Sequence, residues 1–495
     1  MGPSVHPRTG GRLERLWDFY PKGEQIHAYF QSYANEFDLL KHIKFGSEVV
    51  GVSRDDATKL WRVTFRSKSS TDGHTESLTF ERLVIATGSF SKPSVPEIKG
   101  IEGFQGEILH SQAFKDPAKY KDKSILVVGL GNTSADSISS LLDVGVKRLI
   151  VSHRQKILIL PRITKENKIL EFTLTFRLLL LIYWLQEVNA SLMAKIFLNE
   201  LKKIERDNFP GLQSHRAFAD DRKLPGPKHL MPVVSDDLAD NFLNGSLESA
   251  PAIQEISDTK SIKFVDGTEA RDIDVILFCT GLQSDLASFI PSAFDPYNTS
   301  LAPEVFGKLP SRYTDARRVA RLYQGVLSLQ CPHQLAFLGA CLAKRPAFQL
   351  YDLITMALAQ LWGGNYPMPS NAEMERDANA SIFRLAKLIK DGDVKLTGVM
   401  GHIGFDQWLN EVAGTGLYEH LGNWTSSKCW KLWWSDRKLY NTLMSGILST
   451  HVLRLFETQR GRKAWRGARK AIMEANENAA RFEKSENLRP KKGMV

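Results

Sequence analysis

Short apolar runs alternate with glycine-broken turns through much of this 495-residue chain. Ile125 to Val128 is aliphatic without interruption. A run of that kind, opened by Ser124, reads as a parallel strand buried on both faces. After Gly129 and Gly131, the span Asn132 to Val144 sets Ala135, Ile138, Leu141 and Leu142 along one helical face. A second apolar run, Arg148 to Val151, follows. Two more, Arg82 to Ala86 and Asp274 to Cys279, each close on a Thr-Gly step, at Thr87-Gly88 and Thr280-Gly281. Such steps let a chain leave a sheet edge close to a bound dinucleotide, although each taken alone is ordinary strand punctuation. Val63 to Phe65 reads as a further strand, with a turn at Asp72-Gly73. Strand, turn, helix and strand in that order predict an α/β fold of Rossmann-like, doubly wound sheets.

The pattern changes between about Pro161 and Met231, where a helical insertion is expected to interrupt the sheet. Pro225-Gly226-Pro227 and Pro232 mark loops there. Within it, Phe176 to Leu185 is strongly apolar, bracketed by Arg177 and Glu187 and followed by Lys195, Lys202 and Lys203. Its charge-free core falls far short of the ~20 residues a spanning helix needs. A buried helix and an interfacial helix fit equally, the latter giving peripheral membrane contact over residues 169–198. Past residue 285 the chain is expected to end in helices. Trp424, Trp430, Trp433 and Trp434 cluster there, read as core or lipid-facing packing before an aromatic substrate wall.

The turn at residues 129–134 carries the clearest chemistry. In a Gly-x-Gly-x-x-Gly turn the first glycine makes the bend and the second lets backbone N–H groups approach a pyrophosphate. The third lets helix pack against strand. Gly129 and Gly131 fill the first two places, Asn132 and Thr133 open the helix, and Ser134 stands in the third. A lone motif is weak, but this one sits between a strand and a helix, with a second strand after it. An incidental tight turn is the bland alternative. At the end of the second strand an NAD site needs a carboxylate for the ribose hydroxyls. This chain has Ser152-His153-Arg154 and no acid. Arg154 can stack on adenine or form a bidentate pair with a 2′-phosphate, so the expected nucleotide is NADP(H), the alternative being a solvated surface arginine.

Composition narrows the class. At 24% charged and 43% hydrophobic residues the chain is globular and of two or more domains. The net charge is +10, with a basic surplus between Arg460 and Lys492. Acids are interspersed there and only Trp465 and Phe482 are aromatic, so a solvated helix is expected and no nucleic-acid partner. Cys279, Cys331, Cys341 and Cys429 form no Cys-x-x-Cys and no metal spacing, which suggests a reducing, cytoplasmic setting. No metal site is expected. Gly414-Thr415-Gly416 lacks a strand before it and is read as a decoy.

One segment between the first Thr-Gly step and the nucleotide turn brings a family into view. Phe104-Gln105-Gly106-Glu107-Ile108-Leu109-His110-Ser111-Gln112-Ala113-Phe114 resembles the Phe-x-Gly-x-x-x-His-x-x-x-(aromatic) fingerprint of flavin-containing monooxygenases. Phe114 in the last place favours the dimethylaniline-monooxygenase branch. The resemblance starts near Trp17-Asp18-Phe19-Tyr20-Pro21 and includes "YFQSYANEFDLLKHIKFGSEV", both Thr-Gly turns and Leu335 to Gly339. It ends at "AWRGARKAI", where it is nearer to fungal members. It implies a two-dinucleotide-domain flavoprotein with FAD and NADP as cofactors. Its substrates would be O2 and a small amine or thioether. The family's chemistry lodges in the cofactor, so no acid/base triad is expected. NADP⁺ would stay bound after hydride transfer to shield the flavin, so Gly129, Gly131 and Arg154 would serve both stages.

Against the family's pattern, the residues before Trp17 show no apolar strand and no Gly-x-Gly, and no Thr-Asn dipeptide occurs. The FAD domain is therefore expected to be N-terminally incomplete, a clipped form before a natural short one. Losing a central strand costs about five ladder hydrogen bonds at ~1 kcal/mol each, besides buried apolar area. The expected organisation is a truncated first part of the FAD domain over 1–112 and an NADP domain with its insertion over 113–284. A return to the FAD domain and a helical region follow over 285–495. Two functions stay open: a flavin monooxygenase, or a non-catalytic NADP(H)-binding or interaction protein that does not retain FAD. Attachment to an intracellular membrane, and the oligomeric state, stay open too.

Overall fold

The aliphatic runs of the middle third assemble into one five-stranded sheet. Its strands are β1 (Glu107–His110), β2 (Ser124–Val128), β3 (Arg148–Ser152), β4 (Glu248–Ala250) and β5 (Val275–Phe278). Their order is β4-β3-β2-β5-β1 and every neighbouring pair is parallel. In the computed structural model the described residues run from 20 to 484. Outside them within that span lie 22, 69–72, 89–90, 220–223, 225–230, 299, 301, 315–318, 342–344, 392–393, 395–399, 401–402 and 424. The expectations at Trp17 to Phe19, Asp72, Pro225-Gly226-Pro227 and Trp424 therefore lie outside the described residues.

Pleating sorts the side chains of this sheet between two faces. Ile125, Val127, Leu149, Val151, Val275 and Leu277 face the helix Asn132–Asp143 and bury its Ala135, Ile138 and Leu141. Leu126, Ile150, Ile276 and Phe278 face the other way and pack with Phe104, Ile262 and Phe264. That second cover is an antiparallel meander of Ile253–Asp258, Ser261–Phe264 and Glu269–Ala270, where a doubly wound sheet usually has helices. Burial on both faces explains why β2 and β5 read as unbroken apolar runs. The fingerprint segment, assigned from sequence to the region before the nucleotide domain, supplies the edge strand β1 of this sheet.

The insertion leaves after β3. Ile159–Leu160 pairs in parallel with Val233–Val234, and the long helix Phe176–Asn208 lies between them in sequence. Thr175 caps that helix, its Oγ1 accepting the Leu178 N–H at 3.3 Å. Asn189 interrupts it at φ −156°, ψ 88°, and its Oδ1 accepts the Leu192 N–H at 3.0 Å, so a second N-cap restarts the helix.

The remaining unit combines the antiparallel sheet Ser47–Arg54, Trp61–Ser67 and Thr75–Phe80 with a parallel pair, Leu83–Ile85 and Leu335–Phe337. Among the described residues no third strand joins that pair. The helices Ala347–Trp362, Ile403–Ala413, Arg437–Ser445 and Ala468–Lys484 contribute to the largest core, which also takes in Phe176 of the long helix. Inside it Arg345 grips Asp406 through both carboxylate oxygens at 2.5 and 2.6 Å, and Tyr418 donates to the same carboxylate. The pair is nearly solvent-free and joins the approach of one helix to the body of another. The two units are connected by a short antiparallel ribbon, Lys92–Pro93 against Leu282–Gln283.

Candidate functional site

At the carboxyl end of β2 the chain bends through Gly129. Its φ is +99°, and a Cβ there would stand 2.8 Å from the carbonyl oxygen of Cys279 at the end of β5. Backbone conformation and the neighbouring strand end both demand glycine. Gly131 differs: its backbone is extended at φ −139°, and a Cβ would meet nothing within 4 Å. The protein itself does not require glycine there. The open space before it is what a phosphate approaching the backbone requires.

Ser134 does more than fit. It is fully buried, and its Oγ accepts the Gly131 N–H at 2.6 Å while donating to the Gly131 carbonyl at 2.8 Å. The serine clips the turn shut and takes up one N–H that the sequence reading offered to a pyrophosphate. The N–H groups of Asn132 and Thr133, in the first helical turn, have no partner within the helix and remain for an anion, aided by the dipole. Asn132 Oδ1 accepts the Val234 N–H at 2.9 Å, tying the turn to the insertion. Thr133 is exposed, and its carbonyl accepts the Ser137 hydroxyl at 2.8 Å. Arg162 approaches Asp136 at 3.4 Å and Asp236 at 3.8 Å, offsetting carboxylates close to this helix start. Burial nonetheless pushes the Asp136 carboxyl up, against the pull of Arg162.

Arg154 stands where the strand-end argument placed it. His153 is buried and clamped on both ring nitrogens, Nδ1 by the Gln155 carbonyl at 2.9 Å and Nε2 by the Ser249 hydroxyl at 3.0 Å. That clamp fixes the backbone just past β3, and the next side chain, Arg154, is exposed. Among the described residues no carboxylate pairs with it.

The second Thr-Gly step lies against the same turn, since Gly129 meets the backbone of Cys279 and Thr280. Thr280 Oγ1 donates to the Ser94 carbonyl at 2.6 Å, and Gly281, at φ +91°, accepts the Ser94 N–H at 3.0 Å. His110 braces it: Nδ1 accepts the Gln112 N–H at 3.2 Å, which leaves Nε2 to donate to the Gly281 carbonyl at 3.0 Å. This role of the fingerprint histidine went unread in the sequence, although its fixed place before the turn was the signal. Gly106 of the same fingerprint is also obligatory, because a Cβ would lie 2.5 Å from the Asp274 carbonyl and from the Phe104 ring. Burial pushes the Cys279 thiol up to about 11, so the sulfur beside this turn is protonated at neutral pH.

Thr87 and Gly88 belong to the other unit and are not brought to this turn by any of these contacts. There a Cβ on Gly339 (φ +99°) would stand 3.0 Å from the Gly88 Cα, so two strand ends meet glycine to glycine. The residues present fit NADP at the Gly129–Ser134 turn. For a flavin they offer the paired strand ends Thr87-Gly88 and Leu338-Gly339. Among the described residues no second strand, glycine turn and helix stands beside these to take a diphosphate. Gly414-Thr415-Gly416 is not such a turn: it follows the helix Ile403–Ala413, Thr415 is buried, and a Cβ at Gly414 would lie 2.7 Å from the Gly461 nitrogen.

With this geometry in place, the comparisons agree on one family. The profile of the FMO-like family, described as flavin-binding monooxygenase-like, matches residues 14–492. Monooxygenase aurF of Gibberella zeae is 33% identical over 466 residues, covering 94% of this chain and 85% of that protein. Dimethylaniline monooxygenase (N-oxide-forming) 2 of Rattus norvegicus is 28% identical over 425 residues, covering 80% and 74%. Among solved structures, OTEMO in complex with FAD and NADP superposes with a TM-score of 0.52 over 79% of this chain and 83% of that one. Its 17% identity makes this a likeness of fold. The chain belongs to the family of flavin-binding, FMO-like monooxygenases and has their two-dinucleotide-domain α/β fold.

Proposed function

We propose that this protein is an NADPH- and FAD-dependent monooxygenase acting with O2 on a soft nitrogen or sulfur nucleophile, such as a tertiary amine or a thioether. The observation that carries the reading is the nucleotide turn at Gly129–Ser134 beside a strand end that presents Arg154 and no acid. The name of the Rattus norvegicus relative, dimethylaniline monooxygenase, supports the amine half. Hydride uptake from NADPH and oxygen activation are what FAD supplies when bound. The work left to this chain is binding and positioning. The first turn of the helix Asn132–Asp143 holds the pyrophosphate, Arg154 takes the 2′-phosphate, and His110 keeps the Thr280-Gly281 backbone pressed against Gly129.

A second reading rests on a specific observation. Among the described residues only one strand-turn-helix unit can receive a dinucleotide, which suits an NADP(H)-binding protein that does not retain flavin. One preparation decides between the two. A yellow protein whose NADPH-dependent oxygen uptake rises with N,N-dimethylaniline or a thioether supports the monooxygenase. A colourless protein that binds NADPH and consumes no oxygen supports the second reading.

A further inference from the structure

Two arginines of this chain commit fully to a carboxylate. Arg148 holds Glu248 at 2.7 and 2.8 Å, and Arg345 holds Asp406 at 2.5 and 2.6 Å, each through two oxygens. Those are the distances of strong charge-assisted pairs. Arg162 departs from this pattern. Its guanidinium lies 3.4 Å from an Asp136 oxygen and 3.8 Å from an Asp236 oxygen, so it stands between two carboxylates and closes on neither.

Its backbone, by contrast, is fixed. Asp236 Oδ1 accepts the Arg162 N–H at 2.8 Å and the Ile163 N–H at 3.4 Å. The parallel pair Ile159–Leu160 and Val233–Val234 brings this segment to the nucleotide turn, where Asn132 holds the Val234 N–H. The Tyr20 ring lies 6.0 Å from the guanidinium. Between these supports the Arg162 side chain keeps 38% of its surface open to solvent.

Asp136 follows Asn132 by four residues and shares its helical face. Helical side chains lean toward the N-terminus, so a guanidinium that reaches Asp136 stands beside the first turn, whose N–H groups are open. The rest of this neighbourhood is acidic. Asp237 accepts the Ser139 and Ser235 hydroxyls at 2.6 and 2.7 Å and joins Asp136 and Asp236 there. Among the described residues Arg162 is the one cation paired with any of the three. Three carboxylates oppose an arriving anion more strongly than the half charge of a helix terminus attracts it.

We infer that Arg162 is a ligand of the NADP(H) pyrophosphate, poised by Asp136 and Asp236 and exchanging Asp136 for a phosphate oxygen when the nucleotide binds. The inference rests on the NADP(H) reading of this turn. It divides the work between two cations. Arg154 acts on the 2′-phosphate and chooses between NADP and NAD, whereas Arg162 acts on the pyrophosphate that both contain and adds affinity without preference.

The test is titration calorimetry of the full chain with NADPH, NADH and adenosine 2′-monophosphate. Arg162→Gln should raise the Kd of both dinucleotides about 10- to 30-fold, as loss of a hydrogen bond to a charged group implies. Adenosine 2′-monophosphate, which has no pyrophosphate, should bind this variant as it binds the wild type. Arg162→Lys keeps the charge and should recover part of the loss. Asp136→Asn removes the competing carboxylate and should tighten both dinucleotides several-fold, the opposite of what a purely structural Arg162–Asp136 pair would give. Melting temperatures near that of the wild type check that the variants fold. Three results overturn the inference: Arg162→Gln binds both dinucleotides normally, it loses NADPH alone, or Asp136→Asn weakens both as Arg162→Gln does. A wild type that binds neither dinucleotide removes the NADP(H) reading as well. A silent Arg162→Gln beside an Arg154→Ala that loses NADPH removes only this inference.

Discussion

Replacing Arg154 by alanine tests the nucleotide assignment most directly. The side chain is exposed and, among the described residues, carries no ion pair, so the substitution should leave stability within about 0.5 kcal/mol of wild type. Its effect on binding is bounded by the same exposure. A hydrogen bond to a charged group is worth about 1.5–3 kcal/mol, and for a partner open to water the lower part of that range applies. A loss of about 1.5–2 kcal/mol corresponds to roughly a 10- to 30-fold rise in the NADPH Kd. That is less than a buried pair would give. NADH, which lacks the 2′-phosphate, should bind Arg154→Ala as it binds the wild type. Arg154→Lys keeps the charge and loses the planar fork, so it should fall between the two. Titration calorimetry with NADPH and NADH at low and high salt reads all of this, and the NADPH preference should shrink as salt rises. Equal weakening of both nucleotides would place Arg154 on the adenine or in the turn's architecture. No change in either would move the 2′-phosphate elsewhere.

Three further outcomes follow from the same geometry. Gly129→Ala forces a Cβ into the Cys279 carbonyl and a side chain into positive φ; about 2–4 kcal/mol of destabilisation, read by thermal unfolding, is expected, and a wild-type melting curve would show that this turn rearranges freely. Ser134→Gly restores the usual fingerprint residue but removes both hydrogen bonds to Gly131 and puts glycine in the first helical turn. The expected cost is about 2 kcal/mol, and a neutral or stabilised variant would deny the serine its clip. Burial holds the His451 imidazole below its ordinary value, so the unfolded chain binds that proton more tightly. Stability should be complete above about pH 6.5 and fall as pH drops through the window beneath it, and unfolding of His451→Gln should lose that slope if His451 causes it.

The middle of the chain was legible because its signals are local. Four aliphatic residues before Gly129, a helical stripe after it and a strand end without acid need only near neighbours to be read. The sequence reading allowed Ser134 as a small substitute. It could not show that the hydroxyl closes the turn, because that depends on the direction of one Oγ. His110 was recognised by its spacing, yet its work depends on a carbonyl 171 residues further on. The meander that covers the second sheet face reads locally as hairpins. Nothing in its own residues says that it replaces helices. At Phe176–Asn208 the sequence left buried and interfacial readings level. The structure shows a buried face and an exposed apolar face on the same helix, which no average of its composition distinguishes.

The two Thr-Gly steps look alike in sequence and are held in different ways. Gly281 is fastened from two sides, by His110 through its carbonyl and by the Ser94 backbone on the connecting ribbon. Gly88 is held chiefly by the pairing of Leu83–Ile85 with Leu335–Phe337 and by the close approach of Gly339. The fastening of Gly281 runs through the segment that links the units, since Ser91 and Ser94 hydrogen-bond the returning strand at Gln283 and Gly281. The Thr280-Gly281 turn therefore joins the connecting ribbon on one side and the turn at Gly129 on the other. The fingerprint from Phe104 to Phe114 is thus best understood as a mechanical part. It sets a sheet edge with β1, requires glycine at Gly106 for the crossing of Asp274, and uses one imidazole to fasten the Gly281 end of the connecting ribbon, beside the turn at Gly129. Its spacing is constrained by this geometry without any of its side chains needing to touch a ligand.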